Sequence, residues 1–218
     1  EGAPVERILG WLERALECAT SDDVRTTVLL ERAALYKQAG RPDAAIGDCE
    51  LAADLARRCG ALKKAWSAAF LRGTVLMHQL RTAETEAVIS ELAAEADGGA
   101  ATATLLRAHL CSLTEDDAGA ERNYRSFIEV FRAAGYPEMA ARVETTLAVT
   151  LVHLGRLDEA DALLRAGRGP GPVRSAMLKE RQITDVRGVS IDVHQAIEGC
   201  LVNSRLPTEP LFAERQVI

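Results

Sequence analysis

The stretch that most constrains this chain runs from Ala148 to Ala160, with the sequence AVTLVHLGRLDEA. The apolar run Ala148 to Leu154 is suited to end a helix. Gly155 follows, the residue that enters the left-handed backbone region at lowest steric cost and so closes helices. Asp158 and Glu159 then suit the first turn of a second helix, where unpaired amides favour negative charge. Ala160 has no side chain beyond Cβ, so a partner helix can approach closely. The stretch therefore predicts the turn of a helical hairpin.

The same spacing recurs. Around Gly155, small residues stand seven before it (Ala148), five after (Ala160) and twelve after (Gly167). Around Gly40 the equivalents are Ala33, Ala45 and Ala52, with Tyr36 four residues before the glycine. Two weaker copies centre on Ala87, with Val75 and Ala94, and on Ala120, with Ala108 and Phe127. These copies carry Thr82 and Glu115 where the glycine is expected. With the four anchor alanines set aside, the other eight small positions hold five alanines and one glycine. Alanine is roughly a sixth of the chain, so chance would supply one or two.

The pattern resembles the tetratricopeptide repeat, a helical hairpin of about 34 residues. That resemblance implies an all-α, right-handed α-solenoid of antiparallel hairpins. The anchors at 45, 87, 120 and 160 are 42, 33 and 40 residues apart, so two units are longer than the family's. Long-armed repeats of this kind are similar to those of large bacterial regulators that join a nucleotide-binding switch and a DNA-binding module. The alanine- and arginine-rich usage is similar to that of actinobacterial proteins.

Helices are expected over 4–19, 23–39, 43–59, 61–80, 83–97, 101–113, 117–134, 138–154 and 158–167. The repeat domain would span 1–168. The run Arg168-Gly169-Pro170-Gly171-Pro172 precludes a continuing helix and opens a C-terminal extension over 169–218. Within the extension, Ile191 to Val202 reads as a helix with Val193, Ile197, Cys200 and Leu201 on one side. It is expected to dock as a cap. The chain opens directly into what reads as the second helix of a hairpin, as a segment of a longer protein would.

The 218 residues carry a formal charge of −6 and 4% aromatics. Such a balance argues against direct nucleic-acid binding, which rests on neutralising phosphates. No apolar run approaches the roughly 18 residues of a membrane span. Five cysteines at 18, 49, 59, 111 and 200, none in Cys-x-x-Cys spacing, fit a reducing cytoplasm.

Catalytic and metal-binding patterns are not found. His78, His109, His153 and His194 have no helix-borne ligand partner at the required spacing. Gly167 to Pro172 lacks the Lys-Ser/Thr of a phosphate loop, and its prolines remove amides. Glu115-Asp116-Asp117 lacks the alternation of a calcium loop. No cofactor is implied and no reaction is read.

The resemblance implies that four places on each first helix line an inner groove. They are Thr27, Leu30, Ala34 and Lys37 in the first hairpin, and Ala69, Arg72, Leu76 and Gln79 in the second. The third supplies Thr102, Leu105, His109 and Ser112, and the fourth Arg142, Thr145, Val149 and Val152. The Lys and Asn that clamp a peptide carboxylate in this family are absent. The candidate binding residues are therefore Leu30, Lys37, Arg72, Leu76, Gln79, Leu105, His109, Arg142 and Val149. They predict a protein-interaction module of a bacterial regulatory or signalling protein, taking a peptide segment or partner domain. The alternative is an effector sensor that binds a small molecule or peptide in the same groove. A second copy of the chain is a further candidate partner.

Overall fold

The computed structural model describes residues 3–95 and 98–166. The expected extension over 169–218 lies outside the described residues, as does the capping role expected of it. Among the described residues the chain is all-helical, with no strand. The helices are α1 (Ala3–Cys18), α2 (Asp22–Gln38), α3 (Pro42–Arg58), α4 (Leu62–His78), α5 (Thr82–Ala93), α6 (Gly98–Leu113), α7 (Asp117–Ala133), α8 (Pro137–His153) and α9 (Leu157–Ala166). Helices adjacent in sequence pack on one another, α2 on α3 and α3 on α4, then α7 on α8 and α8 on α9. That order is consistent with an α-solenoid of helical hairpins. Two compact units divide within α6, one up to Leu106 and one from Arg107.

One turn, used six times among the described residues, recurs in both units. Its central residue is left-handed: Gly40 (φ 69°), Gly60 (75°), Leu80 (56°), Glu115 (60°), Gly135 (82°) and Gly155 (74°). The next N–H donates back to a carbonyl five residues earlier. Examples are Arg41 to Tyr36 (2.9 Å), Arg81 to Leu76 (3.0 Å) and Arg156 to Leu151 (2.8 Å). This 6→1 bond satisfies a helix-end carbonyl and reverses the chain in three residues. The residue that donated then accepts from the N–H four further on, which starts the next helix. That N–H belongs in turn to Ala45, Ala65, Thr85, Ala120, Ala140 and Ala160. All six side chains are buried, none more than 1% exposed. A 17-residue helix plus this turn makes a 20-residue period, seen in α2, α3 and α4 and again in α7 and α8.

The second hairpin departs from its expected register by two residues. Its left-handed turn residue is Leu80, not Thr82, and Thr85 takes the buried place expected for Ala87, which is exposed. Its first small position is Gly73, not Val75. A Cβ on Gly73 would lie 2.4 Å from Leu106 Cδ2, so a larger residue there would force the buried Leu106 side chain to shift. The third hairpin keeps its expected register, with Glu115 at the turn. The corrected anchors at 45, 85, 120 and 160 are 40, 35 and 40 residues apart. The shorter interval comes from α5, which has 12 residues. The third small position is not constant, because Leu92 and Phe127 fill it, both buried.

Helix starts follow local chemistry. Ser21 accepts from the Val24 N–H and Asp116 from the Gly119 N–H (2.9 Å). Pro42 and Pro137 stand in the first turns of α3 and α8. Gly98 and Gly99, which fall between the expected helices 83–97 and 101–113, open α6. A Cβ on Gly98 would fall 2.1 Å from the Trp66 ring, so glycine lets this helix end come close to the indole. The Trp66 indole N–H donates to Glu95, which also takes Arg57 at 3.0 Å.

In unit 1, Leu29, Ala52, Ala53, Leu55 and Ala68 form a core cluster. Beside it, Arg32 holds Asp48 with two bonds of 2.7 Å. In unit 2, Tyr124, Phe127, Ile128, Phe131, Leu147 and Leu151 are buried, and the Phe127 and Phe131 rings stack at 4.1 Å.

Arginines that follow the turn residue tie hairpins together. Arg41 pairs with Glu6. Arg81 reaches Asp43 (3.5 Å) and Glu84 (2.6 Å). Arg156 reaches Glu121 and Glu159, both at 2.6 Å. The Arg81 hydrogen bond holds the Glu84 carboxyl below its ordinary range, and the Arg156 bond does the same for Glu159. Burial pushes Glu121 upward, but Arg125 and Arg156 together outweigh it and leave it lowered. Carboxylates lowered in the folded state bind protons more weakly than in the unfolded chain. Their stabilisation is therefore present above the ordinary carboxylate range and is lost as pH falls through the lowered values. Melting curves should be flat from about pH 7 to 5 and fall below about pH 4.5. Arg156→Gln should make that acid decline shallower. An unchanged decline would remove this ion-pair group as its cause.

Candidate partner-binding surface

In unit 1 the first helices α2 and α4 touch directly. Lys64, in the first turn of α4, donates to the Asp23 carboxylate (2.6 Å) and to the Thr27 hydroxyl (2.9 Å) at the start of α2. The common turn fixes the rotation of each helix, so residues at equal offsets from it fall on the same side. On α2 these are Leu30, Ala34 and Lys37, all half-buried, and Thr27, which is exposed. Leu30 also packs against the core cluster. On α4 the two-residue register correction replaces the expected set. Ser67, Phe70 and Thr74 are half-buried there, and Met77 is 7% exposed.

Three expected residues consequently leave the row. Leu76 is 3% exposed and belongs to the core, because it lies one residue before Met77 on the turn toward α5. Arg72 is held by Glu91 (2.6 Å) and Glu50 (3.6 Å). Gln79 is the exposed C-cap of α4, its N–H shared by the carbonyls of Val75 and Leu76. Phe70, Thr74 and Met77 were missed. Gly73 was the signal that could have found them, since it stands seven residues before Leu80, as Ala33 does before Gly40.

Leu105 is half-buried on α6 at the end of unit 1. In unit 2, His109 is half-buried on α6. Its Nδ1 lies 3.0 Å from the Tyr124 hydroxyl, and the rings meet edge to face at 5.5 Å. The Ser112 hydroxyl is 3.5 Å from the same oxygen. Burial pushes the Tyr124 phenol upward, so it stays protonated and has one proton to give to His109 or Ser112. On α8, Arg142 is half-buried, while Thr145, Val149 and Val152 are 8%, 6% and 8% exposed. The structure therefore leaves the α2 and α4 rows partly open and the α8 row closed.

His78 is exposed at the end of α4, His153 lies 3.4 Å from Asp117, and His194 is outside the described residues. Among the described residues no three His, Cys, Asp or Glu side chains converge as metal ligands. Cys49 is buried, and its desolvation raises the thiol to about 12, so it packs as a neutral group. No described helix is long and apolar enough to cross a membrane. The chain matches no protein-family model, and no curated protein is significantly similar to it.

Proposed function

We propose that the chain is a protein-interaction module of a bacterial regulatory or signalling protein, acting in the cytoplasm. A partner's peptide segment lies across α2 and α4 of unit 1. The observation that carries this reading is the half-buried row Leu30, Ala34, Phe70 and Thr74 on two touching helices, edged by Lys37. Apolar anchors in such a row supply most of the binding energy, and a charge at its edge sets register and encounter rate. The favoured segment is apolar with an acidic group. A nucleic-acid partner is disfavoured by the net charge of −6.

The test uses Ala34→Glu, which places a charge in the centre of the row at a half-buried site. Leu51→Glu, at a position 50% exposed on α3, is the control. Both variants and the wild type are titrated against proteins retained by the wild type from the source organism. A partner that binds wild type and Leu51→Glu but loses at least about tenfold in affinity for Ala34→Glu supports the reading. Equal binding by all three overturns it. A native mass that includes a small molecule, lost in Ala34→Glu, would favour the effector-sensor alternative.

A further inference from the structure

The sequence of α1 carries two apolar stripes, and the fold covers one of them. The inner stripe is Leu9, Leu12 and Leu16, continued by Ala19 just past the helix. Leu9 and Ala19 are buried, and Leu16 packs against the core cluster of unit 1. The second stripe is Ile8, Trp11, Ala15 and Cys18, at intervals of three, four and three. Trp11 is 53% exposed and Ile8 40%, while Cys18 is exposed and Ala15 half-buried. Arg7 lies over the Trp11 ring, 5.6 Å from its centroid, and still leaves half of the residue in water. Large aromatic side chains are enriched at interfaces, where their apolar area leaves water.

We propose that the second stripe is the seam of a homodimer, in which α1 lies antiparallel to α1 of a second copy. Shape supports this occupant. The stripe is large in its first half, with Ile8 and Trp11, and small in its second, with Ala15 and Cys18. A two-fold axis beside residue 13 sets Trp11 against the partner's Ala15 and Ile8 against the partner's Cys18. Both layers then match a large side chain with a small one. The alternating spacing of three and four keeps two helices in contact along one line. A parallel pair would set indole on indole and alanine on alanine, which wastes the match. The same patch therefore serves both copies, as a two-fold interface requires. Charge limits its strength, because the exposed Arg14 comes near the partner's Arg14 beside the axis. One helix pair is at the small end of protein interfaces, so the Kd is on the order of 10 µM. The dimer does not depend on the proposed function of the α2 and α4 row.

The test is sedimentation of the 218-residue chain between about 1 and 100 µM, a range that brackets the expected Kd. Wild type should pass from monomer to dimer across it. Trp11→Glu should stay monomeric at the top of the range with an unchanged circular dichroism spectrum. Mild oxidation of Ile8→Cys then locates the seam. The introduced thiol should bond to Cys18 of the partner subunit, as mapped by peptide mass, and the link should vanish in Ile8→Cys/Cys18→Ser. Positions 8 and 18 of one helix are about 15 Å apart, too far for an internal disulfide. Wild type that stays monomeric at the top of the range overturns the proposal, whatever else covers α1. So does a Trp11→Glu chain that dimerises as readily as wild type. A link that joins the two introduced thiols and leaves Cys18 free overturns the antiparallel seam.

Discussion

Leu76→Glu is expected to unfold unit 1 rather than to block a binding row. Leu76 is 3% exposed, and its carbonyl accepts the Arg81 N–H that closes the α4–α5 turn (3.0 Å). Removing the buried leucine side chain costs about 2–3 kcal/mol. Placing a carboxyl group in the same site adds the cost of desolvating it, even if it takes up a proton. A total of about 5 kcal/mol is comparable with the whole stability of a small domain. Circular dichroism of the variant should show loss of helix at 25 °C or a melting point lowered by roughly 15 °C or more. A folded variant with a native melt would mean that the side chain is exposed and the original groove assignment correct.

Thr85→Arg is expected to have a similar effect for a different reason. Thr85 is 0% exposed and occupies the place taken by alanine in the other five turns. Its hydroxyl donates to the Arg81 carbonyl (3.1 Å), which fixes the rotamer of the threonine. The position tolerates a small side chain because the preceding helix passes close to it. Arginine must either push the helices apart or bury a guanidinium, and either costs about 4 kcal/mol. The change should destabilise unit 1 without replacing any residue of the proposed partner row.

Most of the helices were legible because glycine and alanine mark their ends. Gly40 and Gly155, each with an alanine five residues on, gave the turn and its register. Gly60 with Ala65 and Gly135 with Ala140 obey the same rule, at the joins between successive hairpins. The register of the second hairpin is hidden because Leu80 holds a left-handed conformation, at φ 56°, that nothing in a leucine signals. The threonine five residues on removed the other marker, so alignment drifted to Ala87. The shift of two residues is about half a helical turn. It carried Leu76 and Gln79 onto the row and Phe70 and Thr74 off it. Polar ties between distant residues, such as Trp66 to Glu95 and Tyr124 to His109, leave no spacing signal because their partners are set by packing.

The common turn and its buried small residue are the centre of this account, and paired melts of Thr85→Arg and Ala87→Arg test them most directly. Ala87 is exposed on α5, so Ala87→Arg should change stability by no more than about 0.5 kcal/mol. Thr85→Arg should lower the melting point by roughly 15 °C or more. The reverse order, with Ala87→Arg the damaging change and Thr85→Arg silent, would restore the register centred on Ala87 and contradict the six-fold turn.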